Sequence, residues 1–184
     1  MGEWLALAHH RERGLPVTVV RMFNTVGPRQ SGRYGMVLPR FARQALHGEP
    51  ITVYGDGSQT RAFCYVDDLI DGFLRFMSTP EEVTGPMNMG NPIEFTIGEL
   101  AELVLEITGS KSKLVREPLP FDDPTQRCPD ITYARDTLGW EPTITFDTWL
   151  ADTVDWYREH ADWCLSTASD DMRAFMERNY EHRT

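Results

Sequence analysis

Apolar residues recur every three or four positions in six segments of the chain, the spacing of one buried face of an α-helix. Shorter segments between them are rich in β-branched and aromatic residues and are bounded by Gly, Pro or Asn, as is typical of β-strands. The pattern predicts helices over residues 2–13, 36–46, 66–77, 97–108, 131–138 and 146–160, with one more helix or a tail over residues 161–184. It predicts strands or extended backbone over residues 16–23, 51–54, 59–65, 86–89 and 113–117.

Strands and helices alternate along the chain, which indicates an α/β architecture. Residues 16–23 form a nearly continuous apolar run, so we expect a strand buried on both faces, as in a parallel sheet. Thr96, followed three residues later by Glu99, matches a capping box and predicts that a helix begins at Ile97. Residues 24–35 and 118–129 are rich in polar residues, Gly or Pro and are predicted to be loops.

The charge balance narrows the possible functions. The chain has 18 Lys and Arg against 28 Asp and Glu, a net charge of −10, which argues against a protein that follows a nucleic-acid backbone. A few arginines can still outweigh this charge locally and bind a small anionic ligand. The N-terminal residues do not resemble a signal peptide, and no apolar run is long enough to span a membrane. We therefore expect a cytoplasmic protein without a membrane partner.

Cysteine and histidine spacing gives no sign of a metal centre. Cys64, Cys128 and Cys164 are far apart, so we expect three reduced thiols rather than a disulfide framework or a zinc knuckle. The histidines form no pair four residues apart and no cluster with carboxylates, which argues against a metal site.

Several motifs in a fixed order carry a family resemblance. They are RMFNTVGPR over residues 21–29, VYGDGSQTRAF over 53–63, YVDD over 65–68, NMGNP over 88–92, DDP over 122–124 with Arg127, PDI over 129–131 and LGWEP over 138–142. In this order they resemble the extended short-chain dehydrogenases/reductases that act on nucleotide sugars, the NAD-dependent epimerase/dehydratase family. Within it the motifs are most similar to UDP-glucuronate decarboxylases, and UDP-glucose 4-epimerases and dTDP-glucose 4,6-dehydratases are also similar.

The resemblance implies a fold and a function. The fold is an α/β partial Rossmann-like sheet, made of the C-terminal strands and helices of the doubly wound sheet, with a small α/β substrate-binding subdomain. Residues 1–160 would form the substrate-binding half and residues 161–184 a C-terminal helix or tail. The ligand would be a UDP- or dTDP-sugar, and the intact family enzyme would use NAD.

The candidate diphosphate ligands are Arg61 and Arg127, and Asn24 is a candidate contact to a sugar hydroxyl or a diphosphate oxygen. Asn24 follows a predicted buried strand, and ligands of open α/β sheets bind at the carboxyl ends of strands. An Asx turn is the alternative interpretation of Asn24. The family pattern places phosphate-binding arginines at Arg61 and Arg127, and a planar guanidinium matches phosphate oxygens. Weak surface salt bridges are the alternative for both arginines.

The resemblance assigns the nucleotide base to Tyr54 and Gly55. An aromatic ring can stack on a base, and glycine permits a close approach of the backbone. Val37 and Leu38 would form the other wall of this site. The alternative for Tyr54 is a strand residue with high β-propensity and no ligand.

The resemblance also suggests cofactor contacts, while the neighbouring acidic pair is structural. Thr25 and Arg33 match positions that face the nicotinamide cofactor in decarboxylase-like members. Asp67 and Asp68 begin a predicted helix, where carboxylates are favourable against the helix dipole, so we interpret them as structural.

Two parts of the family's redox machinery do not occur in this sequence. Family members carry a glycine-rich loop that binds the dinucleotide pyrophosphate, and here Gly55 and Gly57 are followed by Thr60 where a third glycine would stand. They also carry a catalytic Tyr four residues before a Lys, whereas Ile107 and Gly109 precede the only two lysines at that spacing. Residues 2–4 resemble those just after that lysine, so we expect a chain that begins inside the catalytic helix.

Three hypotheses stay open from the sequence alone. The chain is part of an NAD-dependent epimerase, dehydratase or decarboxylase and is inactive by itself. Alternatively, it is a module that binds a nucleotide sugar alone or together with a separate N-terminal half. The third hypothesis is an inactive folded remnant, dimeric through its first helix and an unpaired sheet edge.

Overall fold

The computed structural model of the chain describes residues 1–31, 36–120 and 123–161. Its helices are α1 (Gly2–Arg13), α2 (Val37–Leu46), α3 (Val66–Met77), α4 (Ile97–Thr108), α5 (Thr132–Leu138) and α6 (Phe146–Glu159). Its strands are β1 (Val20–Met22), β2 (Thr25–Val26), β3 (Ile51–Tyr54), β4 (Thr60–Ala62), β5 (Cys64–Tyr65), β6 (Met87–Met89), β7 (Glu94–Thr96), β8 (Leu114–Glu117) and β9 (Gln126–Arg127). The predicted alternation of strands and helices is confirmed.

The chain divides into two compact units, and the first is formed by Met1–Thr25, Ala62–Glu94 and Arg127–Ile144. In this unit β1 and β6 pair in parallel, with Val20 opposite Met87 and Met22 opposite Met89. A buried apolar cluster lies on this strand pair and contains Cys64, Leu69, Phe76, Met87, Met89, Ala134 and Trp140. The parallel pairing predicted for the apolar run is therefore present.

The burial predicted for that run is wrong. Only Val20–Met22 form a strand, and Arg21 and Met22 are exposed. The physical reason is that, among the strands of the described residues, β1 is hydrogen-bonded only to β6, so one edge of β1 has no strand beside it. An apolar sequence alone does not bury a strand that has a neighbouring strand along only one of its two edges.

Trp140 joins the helices of the first unit. Its indole is almost completely buried, and its Nε1–H donates to the backbone oxygen of Asp68 at 2.9 Å. Gly72 on α3 makes room for it, because a Cβ there would lie 2.7 Å from the indole ring. Packing against Trp140 thus explains why α3 carries a glycine at position 72.

The second unit is formed by Val26–Arg61, Phe95–Gln126 and the described residues from Thr145 onward. Here β3 and β8 pair in parallel, with Ile51 opposite Leu114 and Tyr54 opposite Glu117. Helices α2, α4 and α6 pack against one another, and α2 and α4 also pack on β3. Their buried faces supply a core of Phe41, Leu100, Val104, Trp149 and Leu150.

Local sequence signals mark the helix ends correctly. Thr96 accepts from the backbone N–H of Glu99 at 3.1 Å, and the Glu99 carboxylate accepts from the backbone N–H of Thr96 at 2.8 Å. The predicted capping box is confirmed. Gly14, Gly109 and Gly139 end α1, α4 and α5 in the left-handed conformation, which glycine adopts without steric cost.

The short strands β2, β7 and β9 were not predicted, and β2 and β9 lie in segments expected to be loops. Each contains two or three residues, and the chain passes from one unit to the other at each of them. The helix or tail predicted over residues 161–184 lies outside the described residues except for Ala161. No helix in the described part of the chain is both long and apolar enough to cross a membrane.

Candidate functional site

The residues predicted to contact ligand fall on both units. Asn24, Thr25 and Arg127 belong to the first unit, and Val37, Leu38, Tyr54, Gly55 and Arg61 belong to the second. Arg33, predicted to face the cofactor, lies outside the described residues. The structure thus brings the predicted base contacts and one predicted phosphate ligand into a single compact unit.

Tyr54 is the last residue of β3, where the chain turns back toward β4. Its backbone oxygen accepts a hydrogen bond from Gln59 Nε2 at 2.7 Å, and the N–H of Gly55 donates to Glu117 at 2.8 Å. Gly55 has a φ of +66°, a conformation that L side chains rarely adopt, so glycine is favoured there. The main chain around the predicted base contact is therefore fixed on both sides.

The turn after Gly55 is closed by a carboxylate. Asp56 accepts from the backbone N–H of Ser58 at 2.9 Å and from its hydroxyl at 2.6 Å, and these bonds hold the pKa of Asp56 below its ordinary value. The N–H of Gly98, in the first turn of α4, donates to the oxygen of Gly57 at 2.9 Å. The loop between β3 and β4 is thereby tied to the start of α4.

Arg61 is a buried cation on β4, with 8% of its surface exposed. Its Nη2 donates to Asp123 Oδ1 at 2.6 Å, and its Nη1 donates to the backbone oxygen of Thr60 at 2.7 Å. The alternative of an exposed arginine in a weak surface salt bridge does not describe this contact. Asp123, which belongs to the DDP motif, is a partner that sequence reasoning left without a role.

Arg40 was missed by sequence reasoning. Its guanidinium carbon lies 4.6 Å from the centre of the Tyr54 ring, and its Nη2 donates to the backbone oxygen of Thr52 at 3.2 Å. Burial lowers the pKa of Arg40 below its ordinary value, and Tyr54 opposes that shift. The available signal was its place on the same predicted helix as Val37 and Leu38.

The two residues predicted as the second wall of the base site differ in burial. Val37, the first residue of α2, is half-buried, whereas Leu38 is only 1% exposed and packs in the core of the second unit. The burial of Leu38 favours a structural role for its side chain. Contact of either residue with a ligand stays a prediction.

Asn24 lies two residues beyond the end of β1, as expected for a residue at the carboxyl end of a strand. Its Nδ2 donates to the backbone oxygen of Ala62 at 3.0 Å, and its own backbone oxygen accepts from the N–H of Cys64 at 3.1 Å. The side-chain bond spans 38 positions, so it is not the local Asx turn considered from the sequence. Asn24 therefore fixes the chain next to β5.

Arg127 and Thr25 have different surroundings. Arg127 on β9 is exposed and makes no ion pair with another described residue. Thr25 on β2 is half-buried and has an interaction partner. Their assignments to phosphate and cofactor stay predictions.

Asp68 has the structural role expected of it. It is 6% exposed, and its carboxylate accepts from the N–H of Thr143 at 3.1 Å and from the N–H of Ile144 at 3.0 Å. Its neighbour Asp67 is exposed on the first turn of α3. The helix start thus holds the segment that follows Trp140, and Asp68 is not free to act on a ligand.

The described residues contain no group of three or more His, Cys, Asp or Glu side chains that could hold a metal ion. Cys64 is buried, and burial raises its pKa to about 12. Cys128 is exposed, and its Sγ lies 3.3 Å from the backbone oxygen of Pro92. Cys164 lies outside the described residues.

Comparison with known proteins supports the resemblance seen in the motifs. Residues 1–90 match the family model described as the NAD dependent epimerase/dehydratase family. UDP-glucuronic acid decarboxylase 5 of Arabidopsis thaliana is 46% identical over 144 residues, which are 78% of this chain and 42% of that protein. The chain thus spans about two fifths of the length of this curated relative.

Solved structures extend the similarity to the fold. UDP-glucuronic acid 4-epimerase from Bacillus cereus, in complex with UDP-glucuronic acid and NAD, matches with a TM-score of 0.80 and 29% identity, over 86% of this chain and 50% of that one. The dTDP-glucose 4,6-dehydratase DesIV from Streptomyces venezuelae, with NAD bound, matches with a TM-score of 0.80 and 28% identity, over 88% of this chain and 49% of that one. The predicted Rossmann-like α/β fold is confirmed, and residues 1–90 are similar in sequence to the NAD dependent epimerase/dehydratase family.

Proposed function

We propose that this chain binds the nucleotide end of a UDP- or dTDP-sugar. The observation that carries the proposal is a buried guanidinium, that of Arg61, two residues after the Gln59 side chain that holds the Tyr54 backbone. A flat ring and a cation therefore lie on one short segment of the second unit. This pair suits a pyrimidine base followed by a diphosphate.

Arg61 has donor capacity for a phosphate in addition to its protein contacts. A guanidinium carries five N–H donors in a planar fork, and the bonds to Thr60 and Asp123 occupy two of them. Those bonds fix the plane of the fork before a ligand arrives. The effective dielectric constant inside a protein is lower than that of water, so burial strengthens the attraction of Arg61 to an anion and also the repulsion of that anion by Asp123.

The choice of a sugar nucleotide follows from the relatives. The names and titles of similar proteins include UDP-glucuronic acid decarboxylase, an epimerase with UDP-glucuronic acid and a dTDP-glucose dehydratase. We extend this substrate class to the present chain. Asn24 and Arg127 are the proposed further contacts to the sugar or the diphosphate, and Val37 is a proposed contact to the base.

We further propose that hydride chemistry requires residues that this sequence does not contain. NAD supplies hydride transfer when bound by the similar enzymes, and Thr25 and Arg33 are the proposed contacts to it. The sequence has no Tyr followed four residues later by Lys, and no glycine-rich loop of the family type. The proposed role of this chain alone is thus binding without turnover.

A second candidate is a module completed by another polypeptide, either a separate N-terminal half or a second copy. The favouring observation is an uncovered apolar face on α3, where Ile70, Phe73, Leu74 and Met77 are between 39% and 65% exposed. Met22 is also exposed, and it lies on β1, which pairs with β6 alone among the described strands. Exposed apolar patches and open sheet edges commonly mark association sites.

Sedimentation velocity tests this second candidate. Two results would support it. The wild type is a dimer that becomes a monomer in Phe73→Glu, or the wild type is a monomer that binds the separately added N-terminal half of a relative. A monomer that does not bind the added half, and that also binds no apolar dye, would contradict it. Met77→Glu repeats the test at the other end of the same face.

Calorimetric titration with UDP, UDP-glucuronate and NAD tests the main proposal. We expect UDP and UDP-glucuronate to bind, and binding of both to be lost in Arg61→Ala. Arg116→Ala is the matched control, because Arg116 is an exposed arginine on β8 of the same unit. Equal UDP affinity in the wild type and Arg61→Ala, or no binding of UDP by the wild type, would refute the proposal.

A further inference from the structure

One cation in the second unit is held against an aromatic ring. Arg40 projects from α2 toward β3, where it donates to the backbone oxygen of Thr52 and stacks over the ring of Tyr54. Thr52 and Tyr54 are two positions apart on one strand, so their side chains lie on the same face of the sheet. A single guanidinium thus links α2 to the backbone of β3 at Thr52 and to the ring of Tyr54.

The Tyr54 ring is one of the partners that stabilise this cation, beside the Thr52 oxygen and the charge of Asp123. Arg40 makes no ion pair with another described residue, and its buried Nε has no hydrogen-bond partner there. Arg43, one turn further along α2, likewise has an Nε without a hydrogen-bond partner among the described residues, but it forms an ion pair with Glu49 at 2.8 Å. A cation over an aromatic face is attracted by the electron density of the ring, so Arg40 and Tyr54 restrain each other.

The contact occupies one face of the Tyr54 ring. The backbone of Tyr54 is already fixed by Gln59, so the side-chain torsions are its remaining freedom. Arg40 on one face restricts those torsions and holds the ring ready for a flat ligand on the opposite face. Order imposed before binding lowers the entropy lost when a base stacks.

We propose that Arg40 is a positioning residue that orients Tyr54 for stacking on the pyrimidine base. This inference rests on the proposed function and deepens it. Arg40 acts through the ring and does not touch the diphosphate. Its effect on nucleotide affinity therefore requires Tyr54 to be present.

A double-mutant cycle with UDP as the ligand tests this dependence. We expect Arg40→Met to weaken UDP binding about fivefold to tenfold, the size of a partly buried cation–π contact. Arg40→Met in a Tyr54→Ala background should cost no further affinity, because the ring it orients is gone. Independent losses that multiply in the double variant, or an unchanged affinity in Arg40→Met, would overturn the proposal.

Two variants separate positioning from a general effect of charge or folding. Arg43→Met removes a cation from the same helix and should leave UDP affinity unchanged. Arg40→Lys keeps the charge but loses the flat guanidinium, so it should retain part of the affinity and provide a folded variant if Arg40→Met unfolds. An equal loss in Arg43→Met would overturn the proposal.

A measurement without ligand distinguishes failure of this inference from failure of the proposed function. In NMR spectra of protein with 13C-labelled tyrosine, Tyr54→Phe identifies the Tyr54 ring signal. We expect Arg40→Met, but not Arg43→Met, to shift that signal. No shift would overturn the positioning role even if UDP binds. If Arg40→Met shifts the signal but the wild-type protein binds no UDP, the proposed function is refuted, and base stacking with it.

Discussion

The Asp68 carboxylate is expected to be a main stabilising group of the first unit. It accepts from the N–H and the hydroxyl of Thr143 at 3.1 Å and from the N–H of Ile144 at 3.0 Å. Replacing Asp68 with Ala removes all three bonds, and Asp68→Asn keeps the shape but places an N–H donor where an acceptor is needed. Both changes should lower the free energy of unfolding.

The size of the loss follows from the surroundings of the donors. A hydrogen bond to a charged group contributes about 1.5–3 kcal/mol when both partners are well shielded. Thr143 is exposed and Ile144 half-buried, so water can replace part of what is lost. We expect Asp68→Ala to cost roughly 2–4 kcal/mol and Asp68→Asn roughly 1–3 kcal/mol.

Urea unfolding followed by circular dichroism measures both losses. Asp67→Asn is the matched control, because Asp67 is the preceding residue on the same turn but is exposed. Asp67→Asn should change the free energy of unfolding by less than about 1 kcal/mol, the usual size of a helix-dipole contribution. Equal losses in Asp67→Asn and Asp68→Asn would refute the reasoning that the bonds to residues 143 and 144 set the stability of this segment.

Three further predictions concern packing, capping and thiol accessibility. Gly72→Ala should cost about 1–3 kcal/mol in urea unfolding, because its Cβ would lie 2.7 Å from the Trp140 indole. The bond from the Thr96 backbone lowers the pKa of Glu99 below its ordinary value of 4.5, so its stabilisation is present above that pH and is lost as the pH falls through the lowered pKa. In Glu99→Gln, the free energy of unfolding should therefore fall less than in the wild type as the pH is lowered through this range. Cys64 should resist iodoacetamide at pH 8 in the folded protein, because it is buried and its pKa is raised to about 12.

Each of these predictions has a control within the chain. Gly2 has no atom within 4 Å of an added Cβ, so Gly2→Ala should not destabilise the protein, and a loss equal to that of Gly72→Ala would contradict the packing argument. Glu102→Gln, on an exposed site of α4, should leave the acid-side loss intact. The exposed Cys128 should react in a Cys164→Ser background, and labelling of Cys64 at the same rate would contradict its burial.

The helices were predictable because their signals are local. The spacing of apolar residues predicted α3 over residues 66–77, and the capping box predicted the start of α4, both as found. The length of β1 was not predictable, since a strand ends where its hydrogen-bonding neighbour ends. Residues 16–23 have one apolar character, yet pairing with β6 covers only Val20–Met22.

The site was predictable where its residues lie in continuous motifs. Tyr54, Gly55 and Arg61 stand within one stretch of eleven residues, 53–63, and the structure keeps them in one unit. Asp123 reaches Arg61 from 62 positions away, and no local pattern marks such a pair. The contact of Arg40 with Tyr54 likewise depends on how α2 packs on β3, which periodicity does not specify.

Hydrogen exchange of the chain with and without saturating UDP tests most directly whether it binds a nucleotide through the second unit. We predict slower exchange at the backbone amides of residues 53–61, where Tyr54, Gly55 and Arg61 lie, and the loss of that protection in Arg61→Ala. Unchanged exchange in this segment at saturating UDP, or protection that survives Arg61→Ala, would contradict the proposed site.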